Sequence, residues 1–99
     1  MLEIKKTREE SKLLVALAGR LDTTTSPELE AQLTKELPGL TELVFDFQDL
    51  EYISSAGLRV LLYCQKMMNK QGTMQVVNVN DVISEIFEVT GFCDILTVE

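Results

Sequence analysis

Two adjacent serines, Ser54 and Ser55, lie where an apolar, strand-like segment gives way to a helix-like one. A serine at such a junction can cap the coming helix with its side-chain oxygen. The same geometry directs backbone N–H groups and the positive end of the helix dipole toward any phosphate that the serine carries. The pair therefore has two interpretations: helix capping alone, or a hydroxyl that is presented to a modifying enzyme.

Residues for other chemistries are scarce. The chain has no histidine, which excludes Ser-His-Asp and Cys-His catalysis and the commonest zinc sites. Asp46 and Asp49 suggest paired carboxylates for acid–base work, but no second catalytic residue type accompanies them, so structural roles are favoured. Cys64 and Cys93 belong to no Cys-x-x-Cys pattern and sit among apolar residues, which predicts two buried, reduced thiols. We expect no catalytic residue, no cofactor and no metal.

Length and charge narrow the classes of partner. The 99 residues predict one domain, residues 1–99, with a formal net charge of −7. That charge argues against nucleic acid, whose binding depends on cationic contacts to phosphates. The first residues lack the apolar core of a signal peptide, and no apolar run approaches the roughly 20 residues that cross a bilayer. We expect a cytoplasmic protein without direct membrane insertion; the sequence leaves its self-association open.

The first helix has clear signals at both ends. A capping hydroxyl at Ser26 ahead of Pro27 predicts its start, and Thr25 with Glu28 offers a competing capping box one residue out of step. Pro38-Gly39 predicts its end. Leucines at four-residue spacing predict one buried stripe: Leu29, Leu33 and Leu37.

The remaining pattern alternates strands with helices. An opening antiparallel hairpin is predicted from Leu2–Lys6 and Leu13–Leu17, and the later strands cover Leu43–Phe47, Met74–Val79 and Ile95–Val98. The second helix runs from about Ala56 to Lys70, and a third begins at Asn80 or Asp81 and ends at Gly91. This order predicts an α/β fold, β-β-α-β-α-β-α-β, in which a mixed sheet with an opening hairpin and parallel crossovers is flanked by three helices.

The segment around the serines resembles a known family. Asp49-Leu50-Glu51-Tyr52-Ile53 followed by Ser54-Ser55-Ala56-Gly57-Leu58 is similar to the signature of the STAS domain, which bacterial anti-sigma factor antagonists and sulphate transporter tails share. Gly19-Arg20-Leu21-Asp22 with the threonines after it resembles that family's upstream motif, and Ile86-Phe87 through Gly91-Phe92 resembles its C-terminal helix. The similarity spans essentially the whole chain and favours the antagonist branch (anti-anti-sigma factors).

The resemblance implies a phosphorylation switch. In the antagonist branch a serine kinase, which is also the anti-sigma factor, phosphorylates the serine two residues before the Gly-Leu pair, and that serine corresponds to Ser55. Unphosphorylated antagonist binds the kinase and frees the sigma factor, phosphorylated antagonist is released, and a metal-dependent serine phosphatase resets the cycle. The partner-binding residues that the resemblance implies are Asp22, Thr23, Thr24, Ser54, Ser55, Ala56 and Gly57.

Two positions keep a second interpretation. Many family members carry aspartate immediately before the phosphorylated serine, and here that place is taken by Ser54, which makes Ser54 the second choice for phosphorylation. Asp22 is either a turn residue ahead of Thr23 and Thr24 or a partner for a basic residue of the kinase.

Two other functions compete with the switch. The chain could be a non-switching STAS structural subunit, in a stress-signalling assembly or in a transporter-associated complex. An enzyme in its own right is disfavoured, because the sequence has no histidine and no metal-ligand pattern.

Overall fold

Four strands form one mixed sheet in the computed structural model, which describes residues 2–98. The strands are β1 (Leu2–Glu9), β2 (Lys12–Leu21), β3 (Glu42–Ile53) and β4 (Thr73–Val77), and they lie in the order β1-β2-β3-β4. β1 pairs with β2 antiparallel, whereas β2 with β3 and β3 with β4 are parallel. Parallel neighbours need a crossover, and α1 (Ser26–Glu36) and α2 (Ser55–Gln71) supply the two crossovers. Met1 and Glu99, the ends of the predicted domain, lie outside the described residues.

One face of the sheet carries the core. Side chains alternate between the two faces of a strand, and the alternate positions that point inward are fully buried: Leu13, Val15 and Leu17 of β2, and Leu43, Phe45 and Phe47 of β3. Both crossovers step in the same direction along the sheet. Because such crossovers are right-handed, they place α1 and α2 on the same face. The stripe that the sequence predicts on α1 is buried at all three positions.

The C-terminal part of the chain completes this layer. α3 (Asp81–Thr90) buries Ile83 and Phe87, and the Phe87 ring centroid lies 6.3 Å from that of Phe47. Asn80 caps α3 by accepting a hydrogen bond from the Ile83 N–H at 3.0 Å. A short 3-10 helix, Phe92–Asp94, follows. The mixed sheet with three helices confirms the predicted fold class.

The predicted strands differ in length from the observed ones: β1, β2 and β3 are longer than predicted, and β4 ends at Val77 and not at Val79. β3 extends to Ile53 because its pairing with β2 continues through two register shifts. These shifts lie between Ala16 and Ala18 and between Gly19 and Arg20. The pairing therefore passes the point where the alternation of buried and exposed side chains stops. The predicted last strand, Ile95–Val98, is reduced to a single parallel bridge between Val76 and Val98. The 3-10 helix Phe92–Asp94 lies immediately before the predicted strand.

The two cysteines lie in different environments. Cys64 on α2 is buried, as expected, and its burial, with the nearby Glu30 carboxylate adding to the effect, raises the pKa of its thiol to about 12. Cys93 is exposed, so the prediction of two buried thiols is wrong at this position. In this short segment Phe92 and Leu96 supply the apolar contacts to the core, and Cys93 faces outward.

No helix within residues 2–98 is long and apolar enough to span a bilayer.

Candidate functional site

The two motif loops meet at the carboxyl ends of β2 and β3. Leu21 and Ile53 are paired at the last position of the parallel ladder. One residue further on, the Ser54 N–H donates a hydrogen bond to the Leu21 carbonyl at 2.9 Å. The loop that begins at Asp22 and the loop that carries Ser54 and Ser55 are therefore neighbours on one edge of the molecule, as the two motifs of the sequence require.

Ser54 is the N-cap of α2. Its backbone is extended (φ −94°, ψ 175°), and its Oγ accepts a hydrogen bond from the Gly57 N–H at 3.5 Å. Its carbonyl accepts the first backbone bond of the helix, from Leu58 at 2.9 Å. The Ser54 side chain is half-buried. The capping interpretation of the serine pair therefore applies to this residue.

Ser55 is the first residue of the 17-residue helix α2 and is exposed. Within residues 2–98 its hydroxyl makes no hydrogen bond, so it is not committed to capping. The first-turn N–H groups and the positive end of the helix dipole lie beside it, and both favour an added anion. Of the two serines, Ser55 is the one whose hydroxyl is open to another protein.

Gly57 lets α2 start directly on the sheet. A Cβ atom built there would lie 2.8 Å from Cγ1 of Ile53 and 2.8 Å from Cγ of Leu21, closer than side chains tolerate. The glycine is buried, so its role in the site is to hold the helix start against the ends of β2 and β3. Ala56, beside it, is half-buried.

Asp22 organises the neighbouring loop. Its Oδ1 accepts hydrogen bonds from the Thr24 hydroxyl at 2.7 Å and from the N–H groups of Thr24 and Thr25 at 3.0 and 3.1 Å. The Thr24 hydroxyl bond, with the N–H donors, outweighs partial desolvation and holds the pKa of the Asp22 carboxyl below its ordinary 3.8. Its Oδ2 lies 4.0 Å from Nε of Arg20. The turn interpretation of Asp22 is thus realised: Oδ1 holds the turn, and Oδ2 forms a long ion pair with Arg20.

Neither predicted capping hydroxyl bonds to an N–H of α1. The N-cap is Thr25, but its Oγ1 accepts from the Asp22 N–H at 2.8 Å and donates to the Arg20 carbonyl at 2.9 Å. The Ser26 hydroxyl donates to the Asp22 carbonyl at 2.6 Å. Both hydroxyls fix the Asp22 loop instead. The helix therefore starts at the N-cap position that the Thr25 alternative predicts, but without the side-chain hydrogen bond of such a cap.

A shallow groove of about 400 Å³ lies between the starts of α1 and α2, next to Ser55. Thr23, Ser26 and Pro27 contribute from the α1 side, and Ala56, Arg59 and Val60 from the α2 side. Glu30 lines the same groove as Arg59. The groove offers a partner both charge signs and an apolar floor within reach of the exposed hydroxyl.

The sequence analysis missed Arg20 and Tyr52. They face each other across β2 and β3, and the Arg20 guanidinium carbon lies 4.5 Å from the centroid of the Tyr52 ring. This cation–π contact stiffens the strand ends that carry the two loops. Arg20 lies two residues before Asp22, and Tyr52 lies two residues before Ser54. The parallel pairing of the two motifs was therefore the signal that could have identified Arg20 and Tyr52 from the sequence.

No group of three or more Cys, Asp or Glu residues within 2–98 is arranged to hold a metal ion.

Comparison with known proteins agrees with this geometry. The STAS domain family model matches residues 3–99. BtrV, a proposed anti-sigma factor antagonist of Bordetella bronchiseptica, is 35% identical over 88 residues, which are 87% of this chain and 76% of BtrV. The anti-sigma-B factor antagonist of Staphylococcus aureus is 30% identical over 99 residues, covering 98% of this chain and 92% of that protein.

Solved structures share the fold at lower identity. An anti-sigma factor antagonist from Mycobacterium paratuberculosis superposes with a TM-score of 0.89 at 20% identity, covering 99% of this chain and 85% of that one. The phosphorylated form of the Bacillus cell fate determinant SpoIIAA superposes with a TM-score of 0.76 at 15% identity, covering 100% and 91%. Taken with the two paired loops and the helix that starts at Ser55, these matches show that the chain belongs to the STAS domain family, in its anti-sigma factor antagonist branch.

Proposed function

We propose that this protein binds a serine-kinase anti-sigma factor when Ser55 is unmodified, and that phosphorylation of Ser55 releases it. Binding frees the sigma factor, and a metal-dependent serine phosphatase restores the binding form. The observation that carries the proposal is the division of roles at the start of α2. Ser54 caps the helix, while the Ser55 hydroxyl is exposed and uncommitted.

A phosphate on Ser55 is compatible with the folded chain. It adds about −1.5 to −2 charges and three acceptor oxygens at a helix N-terminus, where an anion gains about 0.3–1 kcal/mol. Arg59 stands four residues later on α2 and is exposed. An acidic group placed four residues before a basic one is the favourable order on a helix. We therefore expect the switch to act at the contact with the partner and not through unfolding.

At a docked interface the same phosphate is unfavourable. It adds bulk beside the groove between α1 and α2, must lose its hydration, and repels any carboxylate or nucleotide phosphate that faces it. Thr23 and Ala56 line that groove, so these predicted partner-binding residues lie beside the modified hydroxyl. A coupling of roughly 3 kcal/mol weakens affinity about a hundredfold.

The remaining predicted contact residues lie at the same edge of the molecule, at the carboxyl ends of β2 and β3. Oδ2 of Asp22, whose ion pair with Arg20 is long at 4.0 Å, can also pair with a cation of the kinase, and Thr24 holds that carboxylate in place. Gly57 contributes through the packing of the helix start. Because the kinase reaction consumes ATP, the proposed cycle takes place in the cytoplasm.

The test is a binding titration with the serine-kinase anti-sigma factor from the same gene neighbourhood, first with ADP and then with ATP. Ser55→Ala should bind like the parent protein with ADP and stay bound with ATP. Ser55→Asp should bind at least about tenfold more weakly while remaining folded. Asn69→Asp is the matched control, because it adds one negative charge on the same helix about 20 Å away.

Two results would contradict the proposal. The first is Ser55→Asp binding as tightly as the parent protein and Asn69→Asp. The second is the parent protein remaining bound after ATP is added, which would favour the non-switching structural subunit.

A further inference from the structure

The outer edge of α3 carries an apolar stripe that no described element covers. Val82 is 55% exposed and Val89 is 80% exposed, and the half-buried Ile86 lies between them. At about 100° per residue these three side chains share an arc of roughly 60° on the helix. Single exposed valines are ordinary on a protein surface. Three apolar residues at the i, i+4, i+7 spacing form the kind of stripe that packs against a second helix.

Acidic residues border this stripe on one side. Glu85 and Glu88 are exposed on α3, as is Asp81 at its first turn. They lie on the side of the stripe away from Ile83 and Phe87, which face the core. No lysine or arginine follows Lys70 in the sequence, so this part of the chain supplies no cation to neutralise them. A shallow depression of about 250 Å³, lined by Glu85, Ile86, Val89 and Thr90, spans the boundary between the acidic border and the stripe.

We infer that this surface, the α3 edge, docks a cationic amphipathic helix of a partner protein. The apolar side of such a helix covers Val82, Ile86 and Val89. Its lysines or arginines reach Glu85 and Glu88. Charge complementarity of this kind sets the choice of partner and the rate of association.

The same charges disfavour two other occupants. A second copy of the chain, packed α3 against α3, would bring the carboxylates of both acidic borders together, and like charges oppose such an interface. An anionic membrane surface attracts basic segments and repels acidic ones. The inference is independent of the proposed function, because it concerns α3 and not the loops around Ser55.

The test uses two synthetic helical peptides and the isotope-labelled protein. The first peptide has leucines at i, i+3, i+4 and i+7 and lysines on the flanks. The second has the same leucines with glutamates in place of the lysines. We expect only the cationic peptide to bind, with amide shifts concentrated on α3, and we expect its affinity to fall as salt is added.

Variants separate the apolar and charged contributions. Val89→Lys should weaken binding of the cationic peptide at least tenfold, and so should the double variant Glu85→Lys with Glu88→Lys. The matched control, Glu3→Lys with Glu9→Lys, changes the net charge equally on exposed residues of β1 and should change affinity less than twofold. All of these positions are exposed, so each variant should keep the parent unfolding curve.

Several results would overturn the inference. They are equal or no binding of the two peptides, shifts centred on the groove between α1 and α2, or equal losses from the α3 and β1 charge reversals. A dimer in sedimentation that Val89→Lys dissociates would also overturn it, because a second copy would then be the occupant.

Discussion

The Ser54 N–H donates to the Leu21 carbonyl at 2.9 Å, and this bond ties the end of β2 to the start of α2. It sets the serine loop beside the Asp22 loop and directs the Ser54 side chain back onto the helix. Ser55, one residue later, is left facing solvent. A backbone contact between the end of β2 and the N-cap of α2 is thus accompanied by one serine that caps the helix and one that is exposed.

Substitution of the two serines should have different effects on the stability of the fold. Ser54→Ala removes the cap of α2 and should lower the free energy of unfolding by about 1 kcal/mol, or the melting temperature by roughly 4–8 °C. Ser55→Ala removes an exposed hydroxyl that makes no hydrogen bond within residues 2–98, and it should change the free energy of unfolding by less than about 0.5 kcal/mol. Chemical denaturation of both variants checks this, and a larger loss from Ser55→Ala would reverse the assigned roles.

Gly57→Ala should destabilise the fold although alanine is the better helix former. The added methyl meets Leu21 and Ile53 at 2.8 Å, which costs about 1–3 kcal/mol in a packed site. The gain in helix propensity offsets up to about 1 kcal/mol of this. We expect a net loss of about 1–2 kcal/mol in urea unfolding. A variant as stable as the parent would show that α2 does not need the close approach.

Asp22 should make stability depend on pH in the acid range. Its pKa is below 3.8 in the folded chain, so the charged form is favoured by folding, and this stabilisation is complete above the unfolded pKa. It is lost as the pH falls through the lower, folded pKa. Asp22→Asn should therefore be less stable than the parent protein at neutral pH, with a difference that shrinks below about pH 4.

The Thr24 hydroxyl provides the control for that measurement. It is the main cause of the lowered pKa of Asp22. The stability difference between the protein with Asp22 and the Asp22→Asn variant should therefore be smaller when Thr24→Ala is present in both proteins. Thermal melts from pH 2 to pH 7 provide the comparison. An Asp22→Asn difference that stays constant over this range would contradict the account.

Thiol labelling should distinguish the two cysteines. Cys93 is exposed, whereas Cys64 is buried with a pKa raised to about 12. A thiol reagent should therefore modify one cysteine in the folded protein and two in denaturant. Cys93→Ser should abolish the native reaction and Cys64→Ser should leave it intact. Rapid native labelling of Cys64 would show that the interface between α1 and α2 opens readily.

Local signals in the sequence were sufficient for the order of elements as far as α3. Capping residues, the leucine stripe of α1 and the apolar runs act over a few neighbouring positions, so Ser54 and Leu29 could be assigned from sequence. The motifs also predicted that the Asp22 loop and the serine loop are neighbours, and the pairing of Leu21 with Ile53, which precede them, confirms this.

What the sequence could not supply lies in hydrogen bonds and strand pairing that spacing rules do not describe. The hydroxyls of Thr25 and Ser26 bond to backbone groups of Arg20 and Asp22, only three to five residues earlier, in a loop geometry outside the ordinary capping patterns. β3 continues to Ile53 through register shifts that no alternation pattern displays. The exposure of Cys93 follows from the 3-10 helix, which holds only three residues.

The most direct test of the central claim is to map the phosphate on the parent protein. The protein is incubated with the proposed serine-kinase anti-sigma factor and Mg-ATP. The modified peptide is sequenced by mass spectrometry, and release from the kinase is followed in parallel. The account predicts phosphate on Ser55, none on Ser54, and release in proportion to the modified fraction. Phosphate on Ser54 alone, or full modification of Ser55 without release, would contradict it.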